Sequence, residues 1–103
     1  MNDLDAAREE IGRALKADPH YADALAEQGL LQARSGDYGA AEQSLNQALA
    51  IDADNYQATV NLASLFARTH DPRREDQDAR VAALQQKREA AGQEFLRIIE
   101  VVK

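Results

Sequence analysis

Displaced by 34 residues, this chain lies over itself. Leu4 meets Tyr38, Ala6-Ala7 meets Ala40-Ala41, Ile11 meets Leu45, Ala14-Leu15 meets Ala48-Leu49, and Asp18 meets Asp52. The same displacement sets Ala24 over Ala58, Gly29 over Ala63, Leu31 over Leu65, Ala33-Arg34 over Ala67-Arg68, and Asp37 over Asp71. Self-similarity at a fixed period constrains the fold strongly: a single repeat cannot bury its apolar face alone and must stack on its neighbours.

Within the repeat, the apolar positions recur at steps of three and four, the spacing of one helix face. Asp3 to Lys16 reads as a helix carrying Leu4, Ala7, Ile11, Ala14 and Leu15, with Asp3 as its N-cap and Asp18-Pro19 as its stop. Tyr21 to Ser35 reads as a second helix packing through Ala22, Leu25, Gly29 and Ala33. Gly29 costs about 1 kcal/mol relative to Ala in a helix interior, so its expected use is to admit a neighbouring helix closely. Gly36-Asp37 closes this helix and opens the next, Gly in the left-handed cap position and Asp as N-cap. Tyr38 to Ile51 carries Ala41, Leu45, Ala48 and Leu49; Asp52 to Asn55 links it to a fourth helix, Tyr56 to Thr69, with Leu62, Ala63, Leu65 and Phe66. His70-Asp71-Pro72 ends that helix, and Pro suits the first turn of the next.

The final segment departs from the pattern. Val81, Leu84, Arg88, Ala91, Phe95, Ile98 and Val102 are spaced alternately by three and four, a heptad-like seam interrupted by Arg88. One long helix from about Arg73 to Glu100 is the preferred reading, a break between Arg88 and Gly92 the alternative. The run FLRIIEVVK has strand propensity but no evident partner strand.

These residues resemble tetratricopeptide repeats, helix-turn-helix units that stack into a right-handed superhelix. The resemblance implies an all-α solenoid of about five helices with a long or kinked C-terminal helix. In one domain spanning 1–103, residues 4–21 match the second helix of a partial repeat, 22–55 a complete repeat, and 56–72 the first helix of a further one; 73–103 is a divergent helical segment. Leu25 stands where the family usually has a large apolar residue, Gly29 at the small residue of the first helix, and Ala41, Leu45 and Ala48 at the contact positions of the second. Gln28 and Gln32 depart from the usual large apolar residues, which points to weaker packing or polar contact on that side. The chain opens on an unpaired second-type helix, so a longer array, or a partner for that helix in another molecule, is expected.

The family's repeats are interaction scaffolds whose first helices line a concave groove. Carried over by position, the groove takes Asp23, Ala26, Glu27, Leu30, Ala33 and Arg34 from one unit and Gln57, Val60, Asn61, Ser64, Ala67 and Arg68 from the next. Of these, Glu27, Leu30, Arg34, Gln57, Val60, Asn61, Ser64 and Arg68 are the candidate partner-binding residues. Arg34 and Arg68 are equivalent by the repeat, and with Asn61 they could hold a peptide's carboxylate or backbone. The carboxylate clamp of chaperone-binding members needs Lys where this sequence has Asp23, Ala26 and Glu27, so acidic chaperone tails are not expected ligands. The alternative is an assembly module, a homodimer included, in which Leu84, Phe95, Ile98, Ile99 and Val102 cap the stack or meet another chain.

Composition narrows the remaining classes. Aromatics are 5% of the residues, so Ala-rich packing should give a thin, elongated core. A net charge of −6 opposes general nucleic-acid binding, which relies on basic side chains to neutralise phosphates. With no Cys there is no disulfide or thiol chemistry. His20 and His70 lie in inter-helix links without zinc-type spacing, and Ser35, Ser44 and Ser64 lack a base and orienting pair. No enzymatic activity, metal or cofactor is expected. Apolar runs are far below the roughly 20 residues a membrane span needs, and the acidic start lacks a signal-peptide pattern. Cytoplasmic residence is the default expectation, with a periplasmic or anchored setting open if the segment belongs to a longer protein.

Overall fold

The computed structural model describes residues 3–102; Met1, Asn2 and Lys103, the outermost residues of the expected domain, lie outside that range. Among the described residues the chain forms five helices: α1 (Asp3–Ala17), α2 (Ala22–Arg34), α3 (Tyr38–Ile51), α4 (Tyr56–Arg68) and α5 (Arg74–Val102). Consecutive helices pack on each other, and α2 packs on α4 as well, which turns helix pairs into a stack. This is an all-α helix-turn-helix solenoid. Its radius of gyration is 16.2 Å and its extents are 51 × 35 × 25 Å, against about 13 Å for a compact domain of this length.

The turns repeat as faithfully as the helices, which explains the recurring Asp residues. Asp18 Oδ1 accepts from the His20 N–H at 3.0 Å, and one period later Asp52 Oδ1 accepts from the Asp54 N–H at 3.1 Å. After α2 the chain turns at Gly36 (φ +84), and the Asp37 N–H reaches back to Gln32 O at 2.9 Å. One period on, His70 takes the left-handed position (φ +55), and the Asp71 N–H reaches back to Phe66 O at 2.8 Å. Asp37 caps α3 through the Ala40 N–H at 3.3 Å, and Asn55 caps α4 through the Ala58 N–H at 2.8 Å. Each side-chain oxygen satisfies a donor that the first helical turn leaves unpaired.

Some boundaries differ from the sequence reading. Asp3 already lies in the first turn of α1 instead of capping it. Tyr21, extended at ψ 98, and Ser35 are the cap residues of α2, and Thr69 caps α4 at its C-terminal end. Pro72 stands in the turn before α5 and not in its first turn, because the Arg73 N–H folds back onto Asp71 Oδ1 at 2.9 Å.

The core sits where α2, α3 and α4 meet: Leu25, Ala26, Ala41, Leu45, Ala48, Leu62, Leu65 and Phe66 are buried there, with Leu15 and Leu49 packed against them. Gly29 is what allows α2 and α3 to touch. A Cβ there would lie 2.6 Å from Leu45 Cγ and 3.2 Å from Ala41 O. By contrast, neither α1 nor α5 buries a residue completely.

The continuous helix α5, 29 residues long, is roughly 43 Å at 1.5 Å per residue, about twice the length of α4. It runs antiparallel to α4 as far as Arg88, whose guanidinium lies 4.5 Å from the Tyr56 ring centroid. Lys87 Nζ reaches Asp54 Oδ2 at 2.9 Å in the same region. Leu84 is half-buried; every described residue of α5 beyond it is exposed. The helix therefore overhangs the stack by about 20 Å.

Candidate functional site

Helices α2 and α4 hold the candidate partner-binding residues, but they do not present them all alike. Glu27, Arg34, Gln57, Ser64 and Arg68 are exposed; Leu30 and Val60 are half-buried. Asn61 is only 6% exposed. Its Nδ2 donates to Ala26 O at 3.1 Å, and its Oδ1 accepts from Gln57 Nε2 at 2.9 Å. Asn61 is thus a tie between α2 and α4, and its amide is not available to a ligand in this arrangement. The reason is physical: the Ala26 carbonyl, already bonded within α2, keeps a second lone pair, and Asn61 of α4 lies close enough to donate to it across the helix pair. Ala26 itself is fully buried, making it a stacking contact and not a groove residue, and Ala33 is nearly as buried.

The structure does bring Leu30, Arg34, Asn61, Ser64 and Arg68 together, with Ala33 and Leu65, around a shallow cleft of about 30 Å³. Arg68 Nη1 donates across the helix pair to Ala33 O at 3.4 Å. Arg34 is exposed and makes no ion pair or hydrogen bond with another described side chain. Glu27, Gln57 and Val60 lie outside that cleft.

Val60 belongs to a different feature. It lines a groove of about 210 Å³ with Ala63, Ser64 and Ala67 of α4 and Arg74, Asp78 and Val81 of α5. By the 34-residue offset Val60 and Ala67 stand where Ala26 and Ala33 stand one unit earlier. The earlier pair is covered by α4, whereas Val60 and Ala67 are half-exposed. This groove is the open end of the stack. Sequence reasoning missed Arg74 and Asp78, which pair at 3.2 Å across one helical turn. Their spacing from Val81, four and then three residues, was the available signal, obscured by the surrounding run of charge.

At the opposite end, α1 and α2 flank a groove of about 260 Å³ lined by Arg8, Ile11, Gly12, Gln28, Leu31 and Gln32. The two Gln residues make the polar contact their departure from the family pattern suggested. Ser44 Oγ lies 3.1 Å from Gln28 Oε1 and 2.7 Å from Gln32 Oε1. A hydroxyl has one proton, so one of these amides turns its NH₂ toward Ser44. Arg8 Nη2 donates to Ser35 Oγ over the same groove.

The capping candidates divide along α5. Leu84 packs beside α4, while Phe95, Ile98, Ile99 and Val102 lie on the overhang at 62%, 57%, 39% and 79% exposure. The base of α5 is anchored by Arg73, which meets Glu42 of α3 at 2.6 Å and Asp71 at 2.8 Å and lies 4.3 Å from the Phe66 ring centroid. The Arg73 side chain, then its backbone N–H, hold the Asp71 carboxyl below its ordinary value; Asp71 and then Glu42 push the Arg73 guanidinium up. Likewise the Asp54 hydrogen bond raises the Lys87 ammonium.

Among the described residues no group of three or more His, Cys, Asp or Glu side chains could hold a metal ion, and no helix is long and apolar enough to cross a membrane. What the geometry defines is a stack of helical repeats with two unequal ends and a protruding helix. The chain matches the Tetratricopeptide repeat family at residues 1–58 and, in an overlapping second match, at 27–95. It belongs to that family. No individual curated protein matches it significantly.

Proposed function

We propose that this chain binds a protein or peptide partner, as the non-catalytic scaffolds of the tetratricopeptide repeat family generally do, through the inner face of α2 and α4, with Arg34 and Arg68 as its directed donors. The observation that carries the reading is the convergence of Leu30, Arg34, Ser64 and Arg68 on one cleft. At about 30 Å³ it is far below the several hundred Å³ that enclose a small metabolite. It suits a peptide lying across the surface, its carboxylate or backbone carbonyls accepting from two guanidinium groups.

Panning a displayed random-peptide library on the chain, then measuring the recovered peptides by calorimetry, tests this. Arg34→Glu with Arg68→Glu should abolish binding of inner-face peptides while the circular dichroism spectrum stays helical. Peptides that bind the double variant as tightly as the parent would refute the placement.

A second reading, assembly through α5, is favoured by a separate observation: Phe95, Leu96, Ile98, Val101 and Val102 are all more than half exposed.

A further inference from the structure

We infer that a second copy of this chain covers the α5 overhang, the two overhangs pairing antiparallel about a twofold axis. The inference rests on the assembly reading of α5 and is independent of the inner-face reading.

The stripe that packs α5 onto α4 does not stop where α4 stops. Val81 and Leu84 are half-buried beside α4, Arg88 covers the Tyr56 ring, and the same spacing continues through Ala91, Phe95, Ile98 and Val102. At about 3.6 residues per turn these positions stay on one side of the helix, with Ile99 beside them. The overhang therefore presents the continuation of an existing helix-helix interface, with no other described residue packed opposite it.

The stripe offers enough area for a weak dimer. Phe95, Ile98, Ile99 and Val102 are 39–79% exposed, on the order of 100 Å² each, so two copies could bury roughly 800 Å² of these side chains, in the range of weak, transient interfaces.

Direction follows from what already occupies the stripe. In a parallel pair, the first half of the second α5 would fall where α4 lies, and Arg88 would face Arg88. In an antiparallel pair, each overhang instead runs toward the N-terminal end of the other copy's α4, with the two solenoids at opposite ends. Setting Phe95 opposite Ile98 of the second copy then sets Ala91 opposite Val102. The small residue of the stripe thus meets a large one, as close helix packing requires.

The chain has no Cys, so introduced thiols report the geometry directly. Sedimentation equilibrium should show a dimer, and Phe95→Asp with Ile98→Asp should weaken it by at least about a hundredfold with unchanged helicity, because both side chains are exposed in the single copy. Under mild oxidation Ala91→Cys with Val102→Cys should give a covalent dimer. Ala91→Cys alone should not, since the two thiols would lie about 16 Å apart along the axis. A monomer at all concentrations, or a dimer indifferent to the Asp substitutions, overturns the assembly reading together with the inference. A dimer cross-linked by Ala91→Cys alone overturns the antiparallel pairing and leaves the assembly reading standing.

Discussion

Replacing Gly29 by Ala sets two effects of opposite sign against each other. Ala in a helix interior is favoured over Gly by about 1 kcal/mol, so propensity alone predicts stabilisation. The added methyl, however, would lie 2.6 Å from Leu45 Cγ, 2.8 Å from Leu45 Cδ2 and 3.2 Å from Ala41 O. Ordinary carbon contacts need about 3.5–4.0 Å. Leu45 is fully buried in the centre of the core, and its Cγ is a branch atom that moves only with χ1 or the backbone. Relief therefore requires α2 and α3 to separate, and overpacking of this kind costs about 1–3 kcal/mol. We expect Gly29→Ala to be destabilised by about 1–2 kcal/mol, read as a lower urea midpoint at unchanged slope. Gly12→Ala is the control: its Cβ meets nothing within 4 Å, so the propensity gain should appear undiminished. A Gly29→Ala chain as stable as Gly12→Ala would refute the close-contact account of the α2–α3 interface.

Two further perturbations test the turns. His70 holds the left-handed conformation that Gly36 holds one period earlier; His70→Gly should stabilise the chain by about 0.5–1 kcal/mol, the relieved strain exceeding the entropy gained by the unfolded chain. A lower urea midpoint in that variant would mean that the side chain contributes more than the strain removes. Asp71 has a folded pKa below its unfolded value because Arg73 hydrogen-bonds the charged form. Its stabilisation is therefore complete above the unfolded value of about 3.9 and is lost as pH falls through the folded one. The stability difference between the parent and Asp71→Asn should shrink between pH 6 and pH 2.5 in urea melts, and a difference constant with pH would reject the ion pair as its source.

Much of the fold was legible because the features that set it are local and periodic. Gly36 and Asp37 declare their caps by residue type, and Ala41, Leu45 and Ala48 declare a buried face by spacing, whereas Asn55, read only as part of a link, caps α4. Position within a repeat told less about exposure. Asn61 and Ser64 both map to the family's inner face, yet one is a buried tie and the other is exposed. The distinction depends on which side chain of α4 comes within reach of an α2 backbone carbonyl, and that is a tertiary fact. Arg88 was read as an interruption of the seam, whereas it falls where the stripe passes from α4 to open surface and finds the Tyr56 ring there. A residue's role at such a junction is set by the length of the neighbouring helix, which the spacing on α5 does not contain.

The two ends of the stack deal differently with uncovered helix surface, and the difference bears on where association is expected. Beside α1, the family's large apolar positions are taken by Gln28 and Gln32, which hydrogen-bond Ser44 and leave a groove that water can wet. An open end of that kind loses little by staying exposed, because amides that bond Ser44 and water need no apolar cover. Beside α5 no such replacement occurs. Val60, Ala67 and Val81 remain half-exposed, and the overhang adds Phe95, Ile98 and Val102 to the same end. Uncovered apolar side chains lose on the order of 25 cal/mol for every Å² left in water, so covering the α5 end gains far more than covering the α1 end. Association that buries hydrophobic surface is therefore expected on α5, and polar, directed recognition on the Arg34–Arg68 face. Phe95→Asp with Ile98→Asp and Arg34→Glu with Arg68→Glu should accordingly act independently, the first changing mass without changing peptide binding and the second the reverse.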